Sequence, residues 1–199
     1  MKRMMTRLGE EIQRLEAMSK SGASYTDSTG SYGWRNPIRE DTGPLLSAQV
    51  AAHAPQRILE VGTAHGLSAL HLISGWTDFE GKELHTIERD GPVGAHARAC
   101  FDGLGLPVTV HIGEAMQVIA EGLSGTFDLV FLDAQKSHYG RQWRSLVERD
   151  LVGKGTVLLA DNVIDRKEEC TDFFAALDGQ GTPYEVLPTE CGLLVAVIP

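Results

Sequence analysis

Ile58-Leu59-Glu60-Val61-Gly62-Thr63-Ala64-His65-Gly66-Leu67-Ser68 is the stretch from which the fold can be read. An apolar run, 57–61, is interrupted by one carboxylate and ends on a glycine. A second glycine follows, and then a run, 67–76, rich in Leu, Ala and Ile. That is a strand, a sharp turn and a helix. The glycines let the backbone bend tightly and come close to a ligand. In a parallel sheet, ligands bind outside the carboxyl ends of the strands, where this turn lies. The spacing Gly62-x-x-x-Gly66 is not the G-x-G-x-x-G of a pyrophosphate loop. A carboxylate at Glu60 would repel a pyrophosphate but suits a cation such as an ammonium or a sulfonium. A plain strand-to-helix turn that merely needs glycine would read the same way.

Outward from the turn the pattern alternates. Strands are expected at 57–61, 83–88, 108–112, 127–132 and 156–160, with helices at 67–76, 92–104, 115–121, 139–150 and 167–177. Strand and helix in alternation with short connections means a parallel sheet covered on both faces. FDLVFLD and TVLLAD are nearly continuous apolar runs, as doubly buried strands should be. The end departs from this rule. Only PTECG separates 184–187 from 193–198, which leaves no room for a crossover, so an antiparallel hairpin is expected. The fold class is therefore α/β: Rossmann-like, seven strands, mostly parallel, closed by a C-terminal antiparallel hairpin. Upstream, Met4, Met5, Leu8, Ile12, Leu15 and Met18 recur at helical spacing. Residues 20–37 read as a Gly/Ser/Thr-rich loop carrying Tyr25, Tyr32 and Trp34, and 43–53 as a short helix stopping before Pro55. One domain, 1–199, is expected, with a helical and loop segment (1–54) ahead of a ligand-binding core (55–199).

Charge and cysteine usage narrow the function classes. The formal net charge is −9. Residues 1–50 balance to about +1 and the remainder to about −10, which argues against broad binding to a phosphate backbone. Cys100, Cys170 and Cys191 are odd in number and far apart, so neither a disulfide framework nor a zinc site is expected. With no apolar run of membrane-spanning length and no leader pattern, the expectation is a cytoplasmic protein.

Three acidic strand ends carry the chemistry. Glu88 closes 83–88, where a carboxylate can accept from both hydroxyls of a ribose. Asp133 closes 127–132, and Asp161-Asn162 closes 156–160. Ends of neighbouring parallel strands lie side by side, so Asp133, Asp161 and Asn162 should converge as three hard oxygen donors. That set suits Mg²⁺, which keeps positions for water or substrate, better than zinc. Each Asp could instead cap a following helix. Lys136 would overhang the same rim. A cation lowers the pKa of a hydroxyl that reaches it, and a nearby Lys can steer the departing proton; a simple surface Lys is the alternative. His85 and His111, inside strands, read as packed structural histidines, and His138 and Tyr139 as substrate-facing or surface residues.

Together the motifs ILEVGTAHGLSAL, LHTIE, FDLVFLDAQKSHY and LLADNV resemble the cation-dependent O-methyltransferase family, which includes catechol and caffeoyl-CoA O-methyltransferases. The likeness runs from about Ile38 to Val197. It implies S-adenosylmethionine as cofactor and Mg²⁺ or another divalent cation. It also implies a hydroxylated small-molecule acceptor, catechol-like, and a homodimer. Ile38, Glu60, Gly62, Ser68, Glu88, Ala115 and Asp133 would contact the cofactor. Asp133, Asp161 and Asn162 would be the metal ligands, and Lys136 the catalytic base. His65 departs from the less polar residue usual in the motif. Glu190-Cys191 resembles a pair that orients the acceptor in the catechol enzyme; Glu190 could also be a solvated turn residue. Three rival functions remain open at this point: methylation of a hydroxylated wobble uridine in tRNA, nicotinamide-dependent oxidoreduction, and non-catalytic cofactor binding.

Overall fold

The computed structural model describes residues 2–21, the backbone of 25–27 and 30–32, and 37–199. Helix α1 (Lys2–Ser21) buries Leu8 and Leu15. Its expected apolar stripe packs on the core through these residues with Met5 and Ile12. Strands β1 (Tyr25–Asp27) and β2 (Gly30–Tyr32) form a small antiparallel pair, Tyr25 opposite Tyr32. The expected 20–37 loop is thus corrected twice: α1 runs through Ser21, and two strands occupy its middle. Trp34 and the side chains of Tyr25 and Tyr32 lie outside the described residues.

After α2 (Thr42–His53) the α/β alternation begins with β3 (Arg57–Val61), α3 (Leu67–Ser74), β4 (Glu83–Glu88), α4 (Gly91–Leu104) and β5 (Val108–Ile112). It continues through α5 (Ala115–Gln117), β6 (Leu129–Leu132), α6 (Tyr139–Glu148), β7 (Val157–Ala160) and α7 (Thr171–Gly179), and ends in β8 (Tyr184–Leu187) and β9 (Leu193–Val197). Two helix expectations shift. The segment begun by α5 widens into a π-helix at Val118–Gly122. Helix α7 starts four residues later than 167 because 162–170 wraps the sheet rim in turns, with Arg166 N–H donating to the Asn162 carbonyl at 3.1 Å.

The main sheet has the order β5-β4-β3-β6-β7-β9-β8. β9 pairs antiparallel with both β7 and β8, so it alone is reversed and the expected C-terminal hairpin is present. The central strands carry the core. All four residues of both β6 and β7 are buried, consistent with their apolar runs. One face packs Ile58, Leu70, Leu129 and Phe131 together; the other packs Leu59, Val130, Trp143 and Phe173. Among the described residues, no helix is long and apolar enough to cross a membrane.

His85 and His111 are packed as expected. Their rings stack with centroids 5.2 Å apart, and His85 Nδ1 lies 2.9 Å from His111 Nε2, so one proton bridges the pair. Burial first, then His85 and Arg98, hold the His111 imidazole below its usual pKa. The folded chain therefore binds fewer protons here than the unfolded one. Stability is retained above the unfolded value near 6.5 and lost as pH falls through it. Denaturant melts at pH 7 and 5 should show His111→Gln flattening that acid loss; an unchanged pH slope would show that the pair does not contribute.

Candidate functional site

The rim at the carboxyl ends of β3 to β7 gathers most of the singled-out residues. At the first turn, Gly62 has φ +109°, and a Cβ there would lie 2.8 Å from the Asp133 carbonyl carbon and oxygen. Gly66 also has positive φ, and a Cβ there would lie 2.6 Å from Phe101. Both glycines are therefore required by backbone shape and by a close neighbour. The turn is also tied to the adjacent strands: Gly62 N–H donates to the Ile87 carbonyl at 3.0 Å and Asp133 N–H to that of Val61 at 2.9 Å.

Glu60 is fully buried beneath this turn. Its two oxygens are hydrogen-bonded to the Ser68 and Thr86 hydroxyls, and Thr63 bonds Thr86 in turn. Burial dominates over these hydrogen bonds and pushes the carboxyl up to about 8. Glu60 thus holds a proton at pH 7, so that one of these two contacts runs from its own O–H to the hydroxyl, and it links β3, β4 and α3. The sign follows directly. The folded chain binds one more proton than the unfolded chain between about 4.5 and about 8, so stability declines as pH rises through that window, with a slope of up to about 1.4 kcal/mol per unit. Glu60→Gln should therefore be nearly neutral at pH 6 and should gain on the wild type toward pH 8 in thermal melts. A variant that melts far lower at both pH values would sink this reading.

Glu88 sits at the β4 end with its carboxylate accepting from Ala64 N–H (2.8 Å) and Asp90 N–H (2.9 Å). Each oxygen accepts one backbone N–H and retains capacity for a further donor such as a ribose hydroxyl. Beyond it, Gly113 N–H donates to the Glu88 carbonyl at 2.9 Å, which brings Ala115, at the start of α5, to the neighbouring strand end. Ile38 is buried against the core and, with Leu67, Arg39, His71 and Glu190, lines a cavity of about 450 Å³.

At β6 and β7 the acid pair comes together. Asp161 N–H donates to the Leu132 carbonyl at 3.1 Å, so the two strand ends are in register. Lys136 Nζ lies 2.8 Å from Asp133 Oδ1. Burial raises the Asp133 carboxyl above its usual pKa, and Lys136 opposes that rise. Burial, then repulsion from Asp133, pushes Asp161 up to about 7. Asp161 Oδ1 is buried with no hydrogen-bond partner among the described residues. Neither Asp caps a helix: the caps of the following helices are Gln135, His138 and Cys170. Asn162 takes the left-handed conformation, φ +63°, at the same rim. Its Nδ2 donates to Asp165 Oδ2 at 3.4 Å, a bond that leaves the amide oxygen unspent.

A buried carboxyl with an orphaned oxygen, Asp161, and a half-buried one facing a single ammonium, Asp133, are short of positive charge. Together with the amide oxygen they form a hard donor set that fits a divalent cation such as Mg²⁺. Among the described residues no group of three or more His, Cys, Asp or Glu side chains is placed for a metal, so a third donor from this rim would be that amide.

Tyr139 is the residue that sequence reasoning placed wrongly. It faces neither substrate nor solvent but is fully buried, its hydroxyl donating to the Asp161 carbonyl at 3.2 Å. Thr63 and Thr86 were not foreseen at all; the pairing of Glu60 with Thr86 emerges only from the β3–β4 register. Glu190 is exposed in the β8–β9 turn, its N–H donating to Asp41 Oδ2 at 2.7 Å and its carboxylate 3.6 Å from Arg39.

A doubly wound sheet with a glycine turn and three acidic strand ends on one rim is the arrangement of a ligand-binding α/β domain. The comparisons with known proteins narrow that class. A family model described as a methyltransferase domain matches residues 59–163. The catechol O-methyltransferase of Sus scrofa is 34% identical over 145 residues, spanning 70% of this chain and 76% of that protein. Catechol O-methyltransferase B of Danio rerio is 32% identical over 137 residues, 66% of this chain and 51% of that one. An O-methyltransferase from Bacillus cereus, solved in complex with SAH, superposes with a TM-score of 0.76 at 23% identity, covering 97% of this chain and 91% of that one. The chain belongs to the class I S-adenosylmethionine-dependent O-methyltransferase family. It spans about half the length of the first curated relatives it matches.

Proposed function

We propose that this chain transfers the methyl group of S-adenosylmethionine to a hydroxyl of a small, catechol-like vicinal diol, and that it needs a divalent cation to do so. The observation that carries the metal half is the orphaned, buried Asp161 Oδ1 beside the Asp133–Lys136 pair. Asp133, Asp161 and Asn162 would hold the cation, which when bound would make an acceptor hydroxyl more acidic. The chain's own groups do the rest. Glu88 holds the ribose, the turn at Gly62 admits the methionine end, and Ala115 lies against the adenine. Lys136 Nζ, once it has given up a proton and stands as the neutral amine beside Asp133, takes the proton leaving the acceptor hydroxyl. The oxyanion then attacks the sulfonium methyl; the new C–O bond forms as the S–C bond breaks, and sulfur keeps the electron pair as a neutral thioether. Rate enhancement comes from alignment and fixed charge, with no covalent enzyme intermediate. Residues 1–54 would contribute to the acceptor side, with Ile38 reaching the cofactor, and 55–199 would form the cofactor core.

The test is transfer from radiolabelled S-adenosylmethionine to a panel of catechols, with Mg²⁺ and with EDTA in parallel. Label in product that vanishes with EDTA supports cofactor, cation and acceptor class together. Label that is indifferent to EDTA overturns the cation. Bound cofactor without any labelled product overturns the catechol-like acceptor.

A further inference from the structure

The turn that presents Asp161 and Asn162 is held from below by one side chain. Tyr139, at the start of α6, points its hydroxyl at the Asp161 carbonyl (3.2 Å). Its ring lies under Lys136, whose Nζ is 5.7 Å from the ring centroid, and packs edge-on against Phe173 at 5.6 Å. The peptide between Asp161 and Asn162 fixes where both side chains aim, and Asn162 holds a left-handed conformation that disfavours most residues other than glycine. A hydroxyl bonded to the carbonyl of that peptide selects this orientation over the alternatives. The same aromatic face offers the Lys136 ammonium a cation–π seat while Asp133 Oδ1 holds it from the other side at 2.8 Å.

We infer that Tyr139 is a positioning residue that couples the two halves of the centre, its hydroxyl setting the Asp161–Asn162 turn and its ring setting the Lys136 ammonium. The inference rests on the cation reading above, but it concerns only this chain's own residues. Groups that orient ligands from behind commonly cost 10–100-fold in metal affinity when removed. The hydroxyl is separable from the ring by Tyr139→Phe, a change of one atom.

The test is Mn²⁺ binding, followed by the electron paramagnetic resonance of the free ion, alongside S-adenosylhomocysteine binding by calorimetry and thermal melting. Tyr139→Phe should weaken Mn²⁺ binding about tenfold with cofactor affinity changed less than about twofold. Phe173→Leu, which loosens the ring's packing but keeps the hydroxyl bond, should lower the melting temperature and leave Mn²⁺ affinity within about twofold. If Tyr139→Phe binds Mn²⁺ like the wild type, or if Phe173→Leu weakens it equally, the inference is overturned while the cation reading stands. If the wild type itself binds no Mn²⁺, the cation reading falls and the inference falls with it.

Discussion

Asp161→Ala is expected to abolish cation-dependent methyl transfer, by about 10³-fold or more in kcat/KM, while the melting temperature stays level or rises. A loss of that size corresponds to about 4 kcal/mol of transition-state stabilisation. The two effects have one cause. Asp161 is 2% exposed, with a buried oxygen that makes no hydrogen bond in the described chain and a carboxyl pushed up to about 7 by burial and by Asp133. A buried polar group without a partner costs about 1–3 kcal/mol. Removing it relieves the folded state and relieves Asp133 of a repulsive neighbour. The measurement pairs initial rates at saturating Mg²⁺ with a thermal melt without metal. Retained activity would end the metal assignment. Lost activity with a melting temperature lowered by many degrees would instead make Asp161 a structural residue.

Gly62→Ala is expected to have the second-largest effect, here on the fold itself. At φ +109° an alanine is strained, and its Cβ would sit 2.8 Å from the Asp133 carbonyl carbon and oxygen and 2.9 Å from the Ala134 nitrogen. Those are backbone atoms of a central strand end and cannot swing away as a side-chain tip could. Strain of this kind costs about 1–3 kcal/mol, and the clash adds to it. About 3 kcal/mol in total would lower the melting temperature by about 6–12 °C for a chain of this size. The displaced group is the backbone of Asp133, so S-adenosylhomocysteine affinity should fall together with stability. A melt within 2 °C of wild type would show that the turn relaxes freely and that Gly62 is dispensable. Gly81→Ala is the natural control: its φ is also positive, at +67°, but a Cβ there meets nothing within 4 Å, so it should show the conformational cost without the collision.

The sheet was largely readable because its signals are local. Continuous apolar runs as short as 129–132 and 157–160, each closed by an aspartate, fit doubly buried strands, and five residues between the last two strands leave no length for a crossover. The rim followed from the same logic, since parallel strands deliver their C-terminal residues to one edge. Asp133, Lys136, Asp161 and Asn162 could be placed there by position alone, and the structure brings Asp133 and Lys136 into contact. Residues 20–37 resisted for the opposite reason. Short strands rich in Gly, Ser and Thr have no periodic signature, so a pairing such as Tyr25 with Tyr32 leaves no local trace in the sequence.

Local order in the chain therefore settled which residues end strands, where the glycines must bend the backbone, and that a carboxylate would stand beside them. Folding in three dimensions decided what each of those groups experiences. Glu60 is a neutral buried carboxyl because the assembled layers exclude water from it, which outweighs the Thr86 hydroxyl that the β3–β4 register sets opposite and the Ser68 hydroxyl from α3. Asp161 carries an unsatisfied oxygen because β6 and β7 are neighbours and seal it from water. Tyr139 lies beneath Lys136 and Asp161 rather than at the surface because it packs in the core cluster that also holds Leu132, Ala160 and Phe173. Charge state, hydrogen-bond supply and side-chain direction all depend on groups distant in sequence, and solvent exclusion, a property of the assembled layers, sets the strength of each.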